Sequence, residues 1–251
     1  MRPFLFLATR PEPAAADDEY AAMLRCSGLD EPELRRVRLD QGPLGTVDLD
    51  DWSGVILGGG PFQSSDPQES KSGVQRRVEA ELAGLLDLVV PADFPFFGAC
   101  YGIGTLGTHE GAAVDRRFGE PAGGIQVLLT PEGRDDPVLG IAPPVFGAFV
   151  GHKEAVSALP PHAVRLATSA ASPVQAFRVG RRVYATQFHP ELDLEGLVAR
   201  MRVYRDEGYF PSESLDETVA AARATGITEP PNFLARFVEL YARPAVPLIV
   251  P

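Results

Sequence analysis

A cysteine set between glycines is the first residue whose surroundings suggest chemistry. Gly98-Ala99-Cys100-Tyr101-Gly102 has the form G-x-C-x-G, placed between an apolar run and a helix-prone stretch. Hydrolases with a serine nucleophile use such an elbow, and here sulfur would replace oxygen. A sharp turn holds the nucleophile in strained backbone, and the flanking glycines let neighbouring chain approach closely. A helix starting behind Cys100 would aim its positive end at the sulfur and favour thiolate. The Tyr101 N–H would then face the oxygen that gains charge during acyl transfer. On this motif alone the alternative stays open, since cysteine is often a small buried apolar residue.

A base and its orienter come from Gln187-Phe188-His189-Pro190-Glu191. In extended chain, residues i and i+2 point the same way, so His189 and Glu191 share a face. Pro190 fixes φ and cannot donate to a sheet ladder. Glu191 can hold one imidazole nitrogen while the other faces a thiol. Of the other histidines, His152 either lines the site or shapes its loop, and His109 and His162 read as surface or packing residues. No His/Cys/Asp/Glu cluster has metal-ligand spacing, so neither a metal nor another cofactor is expected.

A competing motif overlaps the elbow. Gly102-Ile103-Gly104-Thr105-Leu106-Gly107 matches G-x-G-x-x-G, the nominal dinucleotide fingerprint. It lies in mid-chain, and no later strand ends in an acid at the expected distance. Glu120 is nearest in count but sits in a Gly/Pro loop, so nicotinamide or flavin binding is set aside.

These residues need a scaffold. Strands are expected at Arg2–Ala8, Leu34–Leu39, Gly54–Leu57 and Phe94–Gly98. Helices are expected at Asp17–Arg25, at Ser72–Val90 and from Tyr101. This alternation implies a parallel sheet with helices on both faces, and functional loops at the carboxyl ends of its strands. Gly58–Pro61 and Cys100 both fall there. The second half reads as strands at Ile125–Leu129, Val145–Val150, Val164–Thr168, Val174–Val179 and Val183–Phe188, the last two joined by a Gly180-Arg181 hairpin. Helical patterns follow at Leu194–Tyr209, Leu215–Thr225 and Pro231–Tyr241. The aromatics there include Tyr204, Tyr209, Phe210, Phe233, Phe237 and Tyr241, suited to packing on the core or to a lid or docking surface. The organisation expected is one α/β domain over residues 1–195, with a C-terminal helical extension over 196–251 packed on it.

The formal net charge of −11 repels phosphate backbones and argues against nucleic acid. No apolar run approaches a membrane span, and the apolar start, Phe4–Ala8, is too short for a signal-peptide core. A cytoplasmic address is expected, with Cys26 and Cys100 as free thiols.

Gly59-Gly60-Pro61, Gly98-Ala99-Cys100-Tyr101-Gly102 and Phe188-His189-Pro190-Glu191 together resemble the class I, triad-type glutamine amidotransferases, in order and spacing. Gly151-His152-Lys153-Glu154-Ala155-Val156, followed by Leu159-Pro160, resembles the S-H-x-D-x-V…L-P stretch of the GMP-synthetase-like branch. The resemblance implies a flavodoxin-like three-layer fold and hydrolysis of glutamine through a γ-glutamyl thioester. It also implies Cys100, His189 and Glu191 as the triad, and an oxyanion hole from Gly59 or Gly60 with Tyr101. Gly102 and His152 are the candidate substrate contacts. Ammonia would pass to an unidentified acceptor, a synthase subunit being one candidate; no S-G-G-x-D-S nucleotide loop of a fused synthetase occurs in the chain.

Two departures stand out. The pattern usually runs C-x-G-x-Q, and the glutamine position is Gly104; the loop before Glu154 reads Gly-His rather than Ser-His. Glycine at 104 is expected to leave a space, so that Gly104→Gln would tighten glutamine binding. The alternatives are a γ-glutamyl hydrolase acting on a larger γ-glutamyl amide, and a non-catalytic binding or regulatory module. Loss of turnover on Cys100→Ala separates the last from the enzymes.

Overall fold

A computed structural model describes residues 1–206, 208–209, 214–227 and 230–244. The chain begins with β1 (Phe4–Ala8), α1 (Pro13–Ser27), β2 (Leu34–Arg38), β3 (Gly54–Leu57), α2 (Gly73–Val89), β4 (Phe96–Ala99) and α3 (Tyr101–His109). There follow β5 (Ala113–Asp115), β6 (Glu120–Leu129), a single turn α4 (Pro131–Arg134), β7 (Val145–His152), β8 (Ala155–Ala158), β9 (Ala163–Ser169), β10 (Ala176–Val179) and β11 (Val183–Thr186). Helices α5 (Leu194–Val203), α6 (Leu215–Ala224) and α7 (Phe233–Tyr241) close the chain.

Nine strands form one sheet in the order β2-β1-β3-β4-β11-β10-β9-β6-β7. The first five are parallel neighbours, the flavodoxin-like arrangement. From β11 outward every pairing is antiparallel. Short hairpins explain the change, since antiparallel neighbours need only a tight turn. Gly180 supplies the turn between β10 and β11, with φ +57°. Strands β5 and β8 pair separately as a small second sheet.

Of the parallel strands, β1, β3, β4 and β11 are buried on both faces, and their side chains alternate between two cores. Phe4, Phe6, Ile56 and Phe97 face α1 and α7, where Met23, Phe233 and Phe237 pack. Leu5, Leu7, Val55 and Phe96 face α2 and α3, meeting Val78, Leu82, Leu85 and Leu106. Helix α2 starts where the Ser72 hydroxyl accepts from Gln75 N–H at 3.0 Å. Helix α1 starts earlier than the periodicity indicates, because Pro13 takes its first turn, and it stops at Gly28, φ +73°.

The C-terminal helices lie on this core. Phe237 meets Phe97 and Tyr184 at ring-centroid distances of 5.5 and 6.2 Å. Helix α5 ends at Val203, short of the expected Tyr209, and Phe210 lies outside the described residues.

Candidate active site

Strand β4 delivers Cys100 at its carboxyl end, and α3 begins one residue later. Cys100 has φ +52° and ψ −94°, a conformation rarely open to a residue with a side chain. Neighbouring structure fixes it: Cys100 N–H donates to Thr186 C=O at 2.8 Å, and Ile103 N–H to Cys100 C=O at 3.1 Å. The tight turn explains Gly98, where a Cβ would lie 3.0 Å from the backbone of Gly102. Gly102 therefore packs beneath the elbow, against β4 and Leu57. It is a packing residue, and the expectation of a substrate contact there is corrected.

Strand β11, parallel to β4, ends at Thr186 and leads into His189 and Glu191. His189 makes one further bridge, its N–H donating to Phe149 C=O at 3.0 Å, so pairing continues slightly past the strand end. His189 Nδ1 lies 2.8 Å from Glu191 Oε1, with both side chains buried. His189 and Cys100 line a common pocket. Burial pushes the His189 pKa down, but the charges of Glu191 and Cys100 and their hydrogen bonds outweigh it and raise it to about 9. Glu191 moves the other way. Burial pushes it up, but the charges of His189 and Arg200 hold it well below the usual carboxylate range.

Arg200 was not identified from the sequence. It projects from α5 and donates from Nη1 to Glu191 Oε1 at 2.7 Å, the same atom 3.2 Å from His189 Nδ1. Because Nδ1 faces Glu191 as a donor, the contact to carboxylate is the attractive one. A sequence signal did exist. Arg200 lies three residues after Leu197 and four before Tyr204, on the buried face of α5, where a cation requires a buried anion. Arg10, in the loop after β1, is the second missed cation. It lines the pocket with Cys100, donates from Nε to Glu19 Oε1 at 3.0 Å, and lies 5.4 Å from the Tyr204 ring centroid.

Glu19, on α1, corrects part of the expected oxyanion hole. Gly59 N–H donates to Glu19 Oε1 at 3.0 Å, so that donor is in use. Gly60 N–H has no protein acceptor among the described residues, and Gly60 lines the pocket beside Cys100. The remaining pair of candidate donors is thus Gly60 and Tyr101. A Cβ on Gly59 would lie 2.8 Å from His189 Cε1, so only glycine fits against the imidazole.

On the other side of Cys100, a smaller space is lined by Phe62, Tyr101, His152, Glu154 and Gln187. Both ring nitrogens of His152 are engaged, Nδ1 with Glu154 C=O at 2.7 Å and Nε2 with Glu120 Oε2 at 2.9 Å. His152 therefore both shapes the loop and lines this space, with its two ring nitrogens committed to protein partners. Gly104 leaves no empty space. A Cβ there would lie 2.7 Å from Glu154 Oε1 and 3.0 Å from Ser64 Oγ. The Glu154 carboxylate fills the position and accepts from Ser64 and Ser65 N–H at 2.8 and 2.7 Å. No group of three or more His, Cys, Asp or Glu arranged to hold a metal occurs among the described residues. No helix among them is long and apolar enough to cross a membrane.

Comparison with known proteins adds a second line. Residues 31–200 match the family model "Glutamine amidotransferase class-I". The GMP synthase [glutamine-hydrolyzing] of Salmonella typhimurium is 27% identical over 186 residues, covering 68% of this chain and 33% of that protein. The Shigella flexneri protein of the same name is 28% identical over the same shares. The chain thus spans about a third of the length of these curated relatives. Among solved structures, a glutamine amidotransferase from Thermotoga maritima superposes with TM-score 0.72 at 20% identity, covering 96% of this chain and 98% of that one. A glutamine amidotransferase from Methylobacillus flagellatus gives 0.70 at 17%, covering 98% of each. At these identities the superpositions establish the fold.

Proposed function

Since the chain belongs to the class-I glutamine amidotransferase family, we propose that it hydrolyses the γ-amide of glutamine through a Cys100 thioester and hands the ammonia to a synthase partner. The observation that carries this reading is Cys100 at a strained strand–helix elbow, sharing a pocket with a His189 whose Nδ1 is held by buried Glu191. The thiolate adds to the amide carbon, and the carbonyl π electrons move to oxygen, toward Gly60 and Tyr101 N–H. Collapse breaks the C–N bond as protonated His189 gives its proton to nitrogen, releasing ammonia. Water then attacks the thioester with its proton passing to His189, and glutamate leaves as the thiolate re-forms.

The two spaces beside Cys100 suit the two ends of such a substrate. Glu154 and Gln187 Oε1, the latter buried and without a partner among the described residues, are acceptors fitted to an α-ammonium group. The larger pocket lies on the His189 side, where the leaving nitrogen departs. Its walls of Leu192, Leu197 and Met201 exceed what ammonia needs. That observation favours a second reading, in which the amide nitrogen carries a substituent and the protein is a γ-glutamyl hydrolase.

The test is a screen of glutamine and N-substituted γ-glutamyl amides for release of ammonia or amine, with Cys100→Ala as control. Turnover that depends on Cys100 is expected. The ratio of kcat/KM between glutamine and the substituted amides decides between the readings. Turnover surviving in folded Cys100→Ala protein would overturn both.

A further inference from the structure

We infer that Thr9 is a positioning residue: its hydroxyl orients the Gly59–Gly60 peptide so that Gly60 N–H faces the carbonyl oxygen attacked by Cys100. The inference rests on the reading of Gly60 as an oxyanion donor and names what makes it one.

Thr9 follows β1, is fully buried, and does not line either space beside Cys100. Its Oγ1 donates to Gly59 C=O at 2.9 Å. The Gly59–Gly60 peptide is trans, and in a planar trans unit the C=O and the following N–H point in opposite directions. Drawing the oxygen toward Thr9 therefore turns Gly60 N–H away from Thr9. Cys100 and His189 flank this peptide: a Cβ built on Gly59 would come 2.8 Å from His189 Cε1 and 3.4 Å from Cys100 Cβ, and Gly60 lines their pocket, which Thr9 does not.

The preceding peptide is fixed as well. Gly59 N–H is held by Glu19 Oε1, and Glu19 is in turn paired with Arg10. Gly59 thus has its donor held by α1 and its acceptor held by the residue after β1, while the Gly60 donor has no protein acceptor among the described residues. The two glycines are the other half of the arrangement. A Cβ on Gly60 would fall on the Thr9 hydroxyl, so the hydroxyl can reach Gly59 C=O only past a residue with no side chain. Without Thr9 the peptide loses the bond that distinguishes its two faces. Glycines on both sides of the peptide allow it to turn at little steric cost.

A test independent of the natural substrate compares two reactions at the same sulfur. Acylation of Cys100 by p-nitrophenyl acetate passes through a tetrahedral oxyanion, whereas alkylation by iodoacetamide displaces iodide and forms none. Thr9→Val keeps the shape and removes the hydroxyl. It is expected to slow acylation about 10–100-fold, below or near the loss on deleting an oxyanion donor, with alkylation within about twofold of wild type. Thr9→Ser restores the hydroxyl and should recover acylation to within a few-fold. Thr9→Val that acylates at the wild-type rate, or that loses both reactions equally, overturns the role of Thr9. Wild-type protein whose Cys100 alkylates but does not acylate overturns the oxyanion-hole reading itself, and this inference with it.

Discussion

Replacing Arg200 with methionine is the sharpest probe of how the site is held. The guanidinium is 6% exposed and its partner Glu191 is 0% exposed, with Nη1 and Oε1 2.7 Å apart. Removing one member of a buried ion pair costs about 3–5 kcal/mol, because the other charge stays buried. Two terms reduce that here. Glu191 keeps His189 at 2.8 Å, and Arg200 Nη2 is a buried nitrogen without a hydrogen-bond partner among the described residues, whereas Nε lies 3.7 Å from Asp18 Oδ2. An unmet donor costs roughly 1–3 kcal/mol in the native protein, a cost methionine removes. The expected net loss is about 1–3 kcal/mol, or a fall in Tm of roughly 2–12 °C for a domain of this size. The charge balance also moves. Glu191 would then act on His189 alone, so the His189 pKa should rise further above about 9, and the alkaline limb of kcat should move up with it. Arg200→Lys keeps the charge but not the planar fork and should fall between the two. Thermal melts and a kcat–pH profile read both effects. Arg200→Met protein with wild-type Tm and an unmoved alkaline limb would refute the coupling of α5 to the triad.

Gly104→Gln should weaken glutamine binding rather than tighten it. The new side chain displaces Glu154 and frees Ser64 and Ser65 N–H, each bond to a charged acceptor being worth about 1.5–3 kcal/mol. KM should rise about tenfold or more, and Glu154→Asp in the same chain should relieve part of the loss; a lower KM in the single variant would show the space to be open after all. Stability should fall from pH 6 to pH 9.5 through His189. Its folded pKa is raised from 6.5 to about 9, so its contribution is complete below 6.5 and lost as pH rises through 9. A shift of that size amounts to roughly 3 kcal/mol, and urea unfolding should show the loss in wild type but not in His189→Gln, parallel curves counting against the buried pair.

What the sequence disclosed follows from how local each feature is. The Cys100 elbow lies within five residues, and the His189–Glu191 pair within three, so chain geometry alone put the elbow and the pairing within reach. The inner parallel strands were legible for a similar reason, since burial on both faces writes β1, β3 and β4 as short, largely apolar runs. Strands β5 and β8 were not legible; they pair only with each other, outside the main sheet. The order of the antiparallel half was also hidden, because β6 lies beside β9 rather than beside the strand preceding it in sequence. The supports of the site are non-local. Glu19 reaches Gly59 across 40 residues and Thr9 reaches it across 50. Gly104 shows the difference most clearly: the sequence revealed a missing side chain, but only the fold brings Glu154, fifty positions later, into its place.

Helix α5 supplies Leu197 and Met201 to the wall of the larger pocket and Arg200 to the underside of Glu191. Width of the pocket and charge beside Glu191 are therefore not independent traits in this protein. Swinging the helix outward to admit a bulkier amine would carry the cation off with it and leave the carboxylate behind. A lineage that changes what it cleaves has a narrower route: trimming the side chains at 197 and 201 while the backbone stays put. Diversity among such proteins should accordingly collect in the girth of those two residues, one turn apart, with the arginine between them held constant.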